Sequence, residues 1–115
     1  MDRLDAYRVW VREVLEEYHS YKPINPKPAV DEQMVLDYEN DHYMLLHAGW
    51  EGEKRVYGCS LHLDIKDGKI WIQRDWIDVE GGIAGELMAR GVPKEDIVLA
   101  FQAPYKRPYS GFAVT

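Results

Sequence analysis

The sequence predicts an α+β domain: an N-terminal helix, a four-stranded antiparallel meander, a second helix and a short C-terminal strand. Three observations carry this. Apolar residues recur at three and four residue steps near the start of the chain. The period then changes to two through the middle of the chain. Asp67-Gly68 sits between two strand-like runs, where a tight primed turn needs positive φ at both centres. Hairpins in succession, without regular helical crossovers, point to α+β rather than to a parallel sheet. A chain of 115 residues is expected to form a single domain, 1–115.

The first helix is expected over 2–21. Leu4, Tyr7, Val11, Val14, Leu15 and Tyr18 form one apolar stripe, Asp2 is a suitable N-cap, and Asp5 lies in the first turn. Pro23, Pro26 and Pro28 prevent continuation and make 22–28 a linker loop. Val30, Met34, Leu36 and Tyr38 alternate with polar residues as a half-buried strand, and Glu39-Asn40-Asp41 turns the chain. The second strand is 43–50, followed by a turn at Glu51-Gly52-Glu53. The third is 55–66, with Tyr57, Cys59, Leu61, Leu63 and Ile65 expected to face the core. The fourth is 69–76. A second helix is expected from about Ile83 to Arg90, ended by Gly91 and Pro93. Ile97 to Phe101 form a short apolar strand before a tail rich in proline and tyrosine.

Apolar residues make up 46% of the chain and charged residues 30%, a balance that can fill a core. The net charge of −6 repels duplex DNA and argues against autonomous DNA binding. No apolar run approaches the roughly 18 residues of a membrane span. The opening Met-Asp-Arg-Leu-Asp-Ala-Tyr has no signal-like apolar segment, and Cys59 is the only cysteine. A reducing, cytoplasmic location is the resulting expectation.

A two-residue turn at Asp67-Gly68 fixes an expected register. Ile65 then faces Ile70, Leu63 faces Ile72 and Leu61 faces Arg74. On the other side Asp64 lies opposite Trp71, His62 opposite Gln73, and Ser60 opposite Asp75. That side is a polar ladder with one tryptophan. Ser60, His62 and Asp64 also suggest a nucleophile, a base and an orienting acid. Neighbours on one strand face stand roughly 6–7 Å apart with nearly parallel side chains, so they do not converge on one atom. The chain also lacks Gly-x-Ser-x-Gly. Cross-strand polar pairing is therefore favoured over a hydrolase built on His62 and Asp64.

Metal ligation is disfavoured for the pairs that the sequence suggests. Cys59 and His62, like His42 and His47, have spacings that send them to opposite strand faces, and His19 ends a helix. No metal and no cofactor is expected. Gly81-Gly82-Ile83-Ala84-Gly85 lies where phosphate loops occur but lacks their motifs, and Asp78 and Glu80 would repel a phosphate. The tail places Lys106 and Arg107 between Tyr105 and Tyr109. That mixture of cations and rings could hold a nucleic-acid backbone, but two cations release few counterions. Packing of the tyrosines onto the sheet is the favoured reading. Trp71 on the polar face would either expose a large apolar area, as at an interface centre, or lie under the tail.

The stretches "YGCSLHLDIKDGKIWIQRDW" and "GIAGELMARGVPKEDIVLAFQAPYKRPYSGFAV" resemble the XisI family, the fdxN-element excision controlling factors found chiefly in cyanobacteria. "LDAYRVWVREVLEEY" and "DHYMLLHAGWEGEKRVYGC" also fit, so the resemblance covers nearly the whole chain. Ala103 and Gln102 depart from the family pattern, which leads us to expect proline and histidine there. The resemblance implies a compact α+β domain and a part in programmed DNA excision during heterocyst differentiation. It implies further that a separate recombinase cuts the DNA and that XisH-like, nuclease-like proteins act alongside.

Together these readings lead to a non-enzymatic regulatory protein that works by protein contact. A XisH-like protein is the expected partner, a homodimer is a further possibility, and DNA is engaged only indirectly. Its expected contact surface is Ser60, His62, Asp64, Trp71, Gln73 and Asp75, with Tyr105, Lys106, Arg107 and Tyr109 of the tail.

Overall fold

The computed structural model describes residues 2–21, 28–77 and 80–115. The linker expected at 22–28 falls outside them except for Pro28, and so does Asp78. Helix α1 spans Arg3–Ser20, and strands β1 to β4 span Val30–Asp37, His42–Glu51, Lys54–Lys66 and Lys69–Asp75. Helix α2 spans Gly82–Arg90 and β5 spans Ile97–Leu99. Short 3₁₀ turns occur at Lys94–Asp96 and Pro104–Tyr109. The sheet order is β1-β2-β3-β4-β5. The first four strands form the expected antiparallel meander. The fifth differs in kind: it joins β4 in parallel, reached through α2. No helix among the described residues is long and apolar enough to cross a membrane.

Helix α1 begins where Asp2 accepts the backbone N–H of Leu4 at 2.7 Å and of Asp5 at 3.4 Å. Its apolar stripe, Tyr7, Val11, Val14, Leu15 and Tyr18, is buried. It joins Tyr43, Leu45, Leu61, Leu63, Ile70, Ile72, Ile83, Leu87 and Ile97 in one core. Each fully buried aliphatic side chain contributes about 1.5–3 kcal/mol relative to an exposed one. Both helices therefore pack on one face of the sheet. Arg8 fixes α1 to the β1–β2 turn: Nε and a terminal nitrogen reach the two oxygens of Asp41 at 2.9 and 3.1 Å. Tyr43 donates to the same carboxylate at 2.7 Å. Tyr7 donates to Asp96, and burial followed by that carboxylate pushes its pKa up to about 12, so it remains a donor.

The turn at Asp67-Gly68 has φ of 55° and 77°, as a tight primed turn requires. The register begins as expected, with Ile65 opposite Ile70, Asp64 opposite Trp71 and Leu63 opposite Ile72. It then shifts by one. His62 pairs with Arg74 and Leu61 with Asp75, leaving Gln73 as an extra residue in β4. The expected pairs His62 with Gln73, Leu61 with Arg74 and Ser60 with Asp75 are thereby corrected. A second shift lies between β2 and β3, where Leu45 pairs with Leu61 but Leu46 pairs with Cys59, so Ser60 is extra. This bulge turns the start of β3 over. Tyr57, expected in the core, is 69% exposed, and Cys59 is only half-buried.

The bulge in β4 also removes Asp75 from the polar ladder. Asp75 Oδ2 accepts the backbone N–H of Ile83 at 2.9 Å, and Oδ1 accepts that of Ile77 at 3.2 Å. The residue preceding α2 is Gly81, which has no side chain to cap the helix. Asp75 supplies that oxygen from the neighbouring strand and places a negative charge at the positive end of the helix. The glycine-rich turn thus binds a carboxylate of its own chain. Replacing Asp75 with Ala is expected to lower unfolding stability by about 1–2 kcal/mol, measured as a lower urea midpoint at unchanged slope.

Candidate functional site

With both helices on one side, the other face of the sheet is covered, among the described residues, where the tail crosses β4 and β5. Strand alternation and register place His42, Met44, Leu46, Ala48 and Trp50 of β2 on that open face, with His62 and Asp64 of β3. His42 stands directly opposite Asp64, and His62 precedes Asp64 by two residues on the same face. Their side chains converge. His42 Nδ1 lies 2.7 Å from Asp64 Oδ1, and His62 Nε2 lies 2.8 Å from the same oxygen. Gln73 donates to Oδ2 at 3.2 Å. The Asp64 side chain is 16% exposed and that of His42 49%, so a shielded carboxylate lies beneath accessible rings. The hydrogen bond to Asp64 raises the His42 pKa above its ordinary value; burial opposes it, and the carboxylate's charge adds to the rise.

Ser60 is not part of this group. Its Oγ lies 3.0 Å from Nε2 of His47, and Glu32 Oε2 lies 3.6 Å from that same nitrogen. In a serine hydrolase the acid holds Nδ1 while the serine meets Nε2. Here acid and hydroxyl approach one nitrogen, so the acid does not hold Nδ1 to orient the ring while Nε2 takes the serine proton. Ser60, His62 and Asp64, the disfavoured nucleophile, base and acid, are therefore split between two clusters. Glu32 is also held by His19, whose Nδ1 lies 2.8 Å from Oε1.

Trp71 is 9% exposed and lies under the tail. Its indole N–H donates to the Lys66 carbonyl at 3.0 Å. The Lys66 ammonium stands 4.2 Å from the ring centroid, and the Arg107 guanidinium 5.8 Å. Arg107 also donates to the carbonyls of Gln102 and Ala100 at 3.1 and 3.2 Å. It is a fastener of the tail and is not available to a nucleic-acid backbone. The tyrosines behave in the opposite way to expectation. Tyr109 is 89% exposed and Tyr105 also stands out, so neither packs the tail down. Arg107 does this instead, and Ala113 adds a backbone bond to Ile97 at 2.9 Å. Lys106 and Tyr109 line a shallow groove of about 450 Å³ with Phe101 and Gln102.

Two contributors to this face were hidden from sequence reasoning. His42 joins the cluster only because the bulge at Ser60 moves the β2–β3 register by one. Counting back from the Gly52-Glu53 turn alone would place it opposite Leu63. Tyr57 reaches the open face for the same reason, and there Arg55 lies 5.7 Å over its ring and 5.5 Å over that of Trp50. Trp50, Arg55 and Tyr57 form a stacked, exposed group at one end of the sheet.

Comparison with protein families finds the XisI protein family matching residues 1–114. Comparison with curated proteins finds no match. Among solved structures, the chain is similar to a XisI-like protein from Anabaena variabilis, with 42% identity and a TM-score of 0.88. The match covers 99% of this chain and 100% of that one. It is similar also to an fdxN element excision controlling factor XisI from Anabaena variabilis, with 35% identity, a TM-score of 0.87 and the same coverage.

Replacing Arg107 with Ala should loosen the tail. In a background where Trp50 and Trp76 are changed to Phe, acrylamide quenching of the remaining tryptophans should rise, whereas Lys106→Ala should leave it unchanged. The His42 pair has a defined pH sense. Because its folded-state pKa is raised, its stabilisation is fully present below the unfolded value near 6.5 and is lost as pH rises through the folded value. The stability difference between wild type and His42→Gln should therefore be larger at pH 6 than at pH 9, within the ~0.2–1 kcal/mol of exposed pairs.

Proposed function

The chain belongs to the XisI family, and from that premise we propose that it is a non-enzymatic accessory protein in the control of programmed DNA excision. It acts by contacting a XisH-like protein through the open face of its sheet, in the cytoplasm, and meets DNA only through that partner.

The observation that carries this reading is the composition of the open face. Hydrogen-bonding groups on rigid strands (His62, Gln73 and His42) share this face with exposed aromatic rings held by a cation at the far end of the sheet. Aromatic and arginine anchors on a fixed scaffold are what protein interfaces concentrate, because they bring large contact area at low entropic cost. The tail continues the surface, since Trp71 links Asp64 on one side to Arg107 above it. Of the residues first expected to make contact, His62, Gln73, Tyr105, Lys106 and Tyr109 remain accessible. Asp64, Trp71 and Arg107 support the surface from within, whereas Ser60 and Asp75 are engaged on the helical face. The net charge of −6 and the engagement of Arg107 leave too few free cations in the tail for direct DNA binding.

Co-expression with the XisH-like protein should give a complex of defined mass in solution. Gln73→Arg and Tyr109→Ala should each weaken it by about tenfold or more while the chain stays folded, the size of effect expected where an interface anchor is lost. Separate elution of two folded proteins would overturn the reading.

A further inference from the structure

We propose that His42, His62 and Asp64 bind one divalent transition-metal ion of the Zn²⁺ or Co²⁺ class, bridging β2 and β3 on the open face. Among the described residues, these three bring one ligand atom each to within 4.8 Å of the other two. The donor set is two imidazole nitrogens and a carboxylate oxygen. Imidazole favours zinc, cobalt, nickel and copper over magnesium and calcium, which prefer oxygen.

The geometry needs little adjustment. Ligands around a tetrahedral zinc stand about 2.0–2.2 Å from the ion, hence roughly 3.3–3.5 Å from one another. The imidazole nitrogens now lie 2.7 and 2.8 Å from Asp64 Oδ1, so each moves less than an ångström from that oxygen by side-chain rotation, while the two nitrogens, within 4.8 Å of one another, draw together around the ion. At present both nitrogens donate protons to that oxygen. In a neutral ring the proton moves to the other nitrogen, which turns a lone pair toward the ion. A charged ring releases its proton to solvent. The carboxylate supplies one negative charge, and Gln73 keeps its second oxygen oriented from outside the ligand set. The half-exposed His42 ring leaves the outward side open for a water or for a donor from a partner.

The second histidine cluster is a built-in contrast. His19 and His47 meet different oxygens of Glu32, at 2.8 and 3.6 Å, with Ser60 on the His47 nitrogen. It does not form the same compact set.

The test is a Co²⁺ titration of the protein without an affinity tag, followed by visible absorption and by calorimetry. The expected result is one ion per chain, with the visible bands of four- or five-coordinate cobalt that Zn²⁺ abolishes. His42→Gln, His62→Gln and Asp64→Asn should each weaken binding by about tenfold or more, and His47→Gln should leave it unchanged. In the wild-type protein, the ring-proton resonances of His42 and His62 should shift on adding Zn²⁺ while those of His19 and His47 stay in place. That readout does not depend on any variant folding. Absence of saturable binding, unchanged affinity in His62→Gln, or equal shifts at all four histidines would overturn the proposal. Because the titration uses the chain alone, its outcome is independent of whether the XisH-like protein binds.

Discussion

Two extra residues, Ser60 in β3 and Gln73 in β4, set what each face of this molecule presents. A strand's side chains alternate, so one inserted residue turns over everything beyond it. At Ser60 the insertion keeps Leu61, Leu63 and Ile65 in the core while sending Tyr57 outward, and it brings His42 opposite Asp64. At Gln73 it frees Asp75 to cap α2 and leaves Gln73 free to hold Asp64 from the side. The helical face gains a capped second helix, and the open face gains a converged polar cluster. The two bulges flank His62 and lie at the centre of the sheet, where a change of pairing reaches both layers.

Much of the architecture was legible because it rests on local rules. The stripe of α1 and its Asp2 cap, the Asp67-Gly68 turn and the Gly91 terminus each announce themselves within a few residues. What stayed hidden depends on register. The run Tyr57, Cys59, Leu61, Leu63, Ile65 alternates without a break, and the bulge at Ser60 leaves no mark in it. The hairpin turn sets how β2 and β3 begin to pair, but their register beyond Leu46 keeps Tyr43 and Leu45 in the core with Leu61 and Leu63, which the turn does not show. The parallel entry of β5 is equally non-local: it needs α2 to return the chain over the sheet, and a three-residue strand carries no sign of its partner. In the tail, composition suggested a role for the tyrosines, but geometry gave it to Arg107. A guanidinium can satisfy two carbonyls and cover an indole at the same time, which a tyrosine cannot.

The open face combines features that arise separately. Asp64 is a shielded carboxylate whose neighbours are two titratable rings and an amide, which makes it a point of high chemical specificity on a small area. The stacked Trp50, Arg55 and Tyr57 offer apolar contact at the far end of the sheet. The fastened tail supplies a third region, with Lys106 and Tyr109 around a groove. None of these needs a moving part, since the strands and Arg107 hold them in place. A surface of this kind suits recognition, and it is distinct from the helical face, where Arg90 is engaged with Glu17 and Glu86.

The most direct measurement is a residue-by-residue map of the proposed partner's footprint: an NMR titration of isotope-labelled chain with a XisH-like protein. The largest perturbations are expected at His42, His62, Gln73 and Tyr109, with α1 and α2 unaffected on their outer sides. A footprint on the helices, with the open face unchanged, would contradict contact through that face.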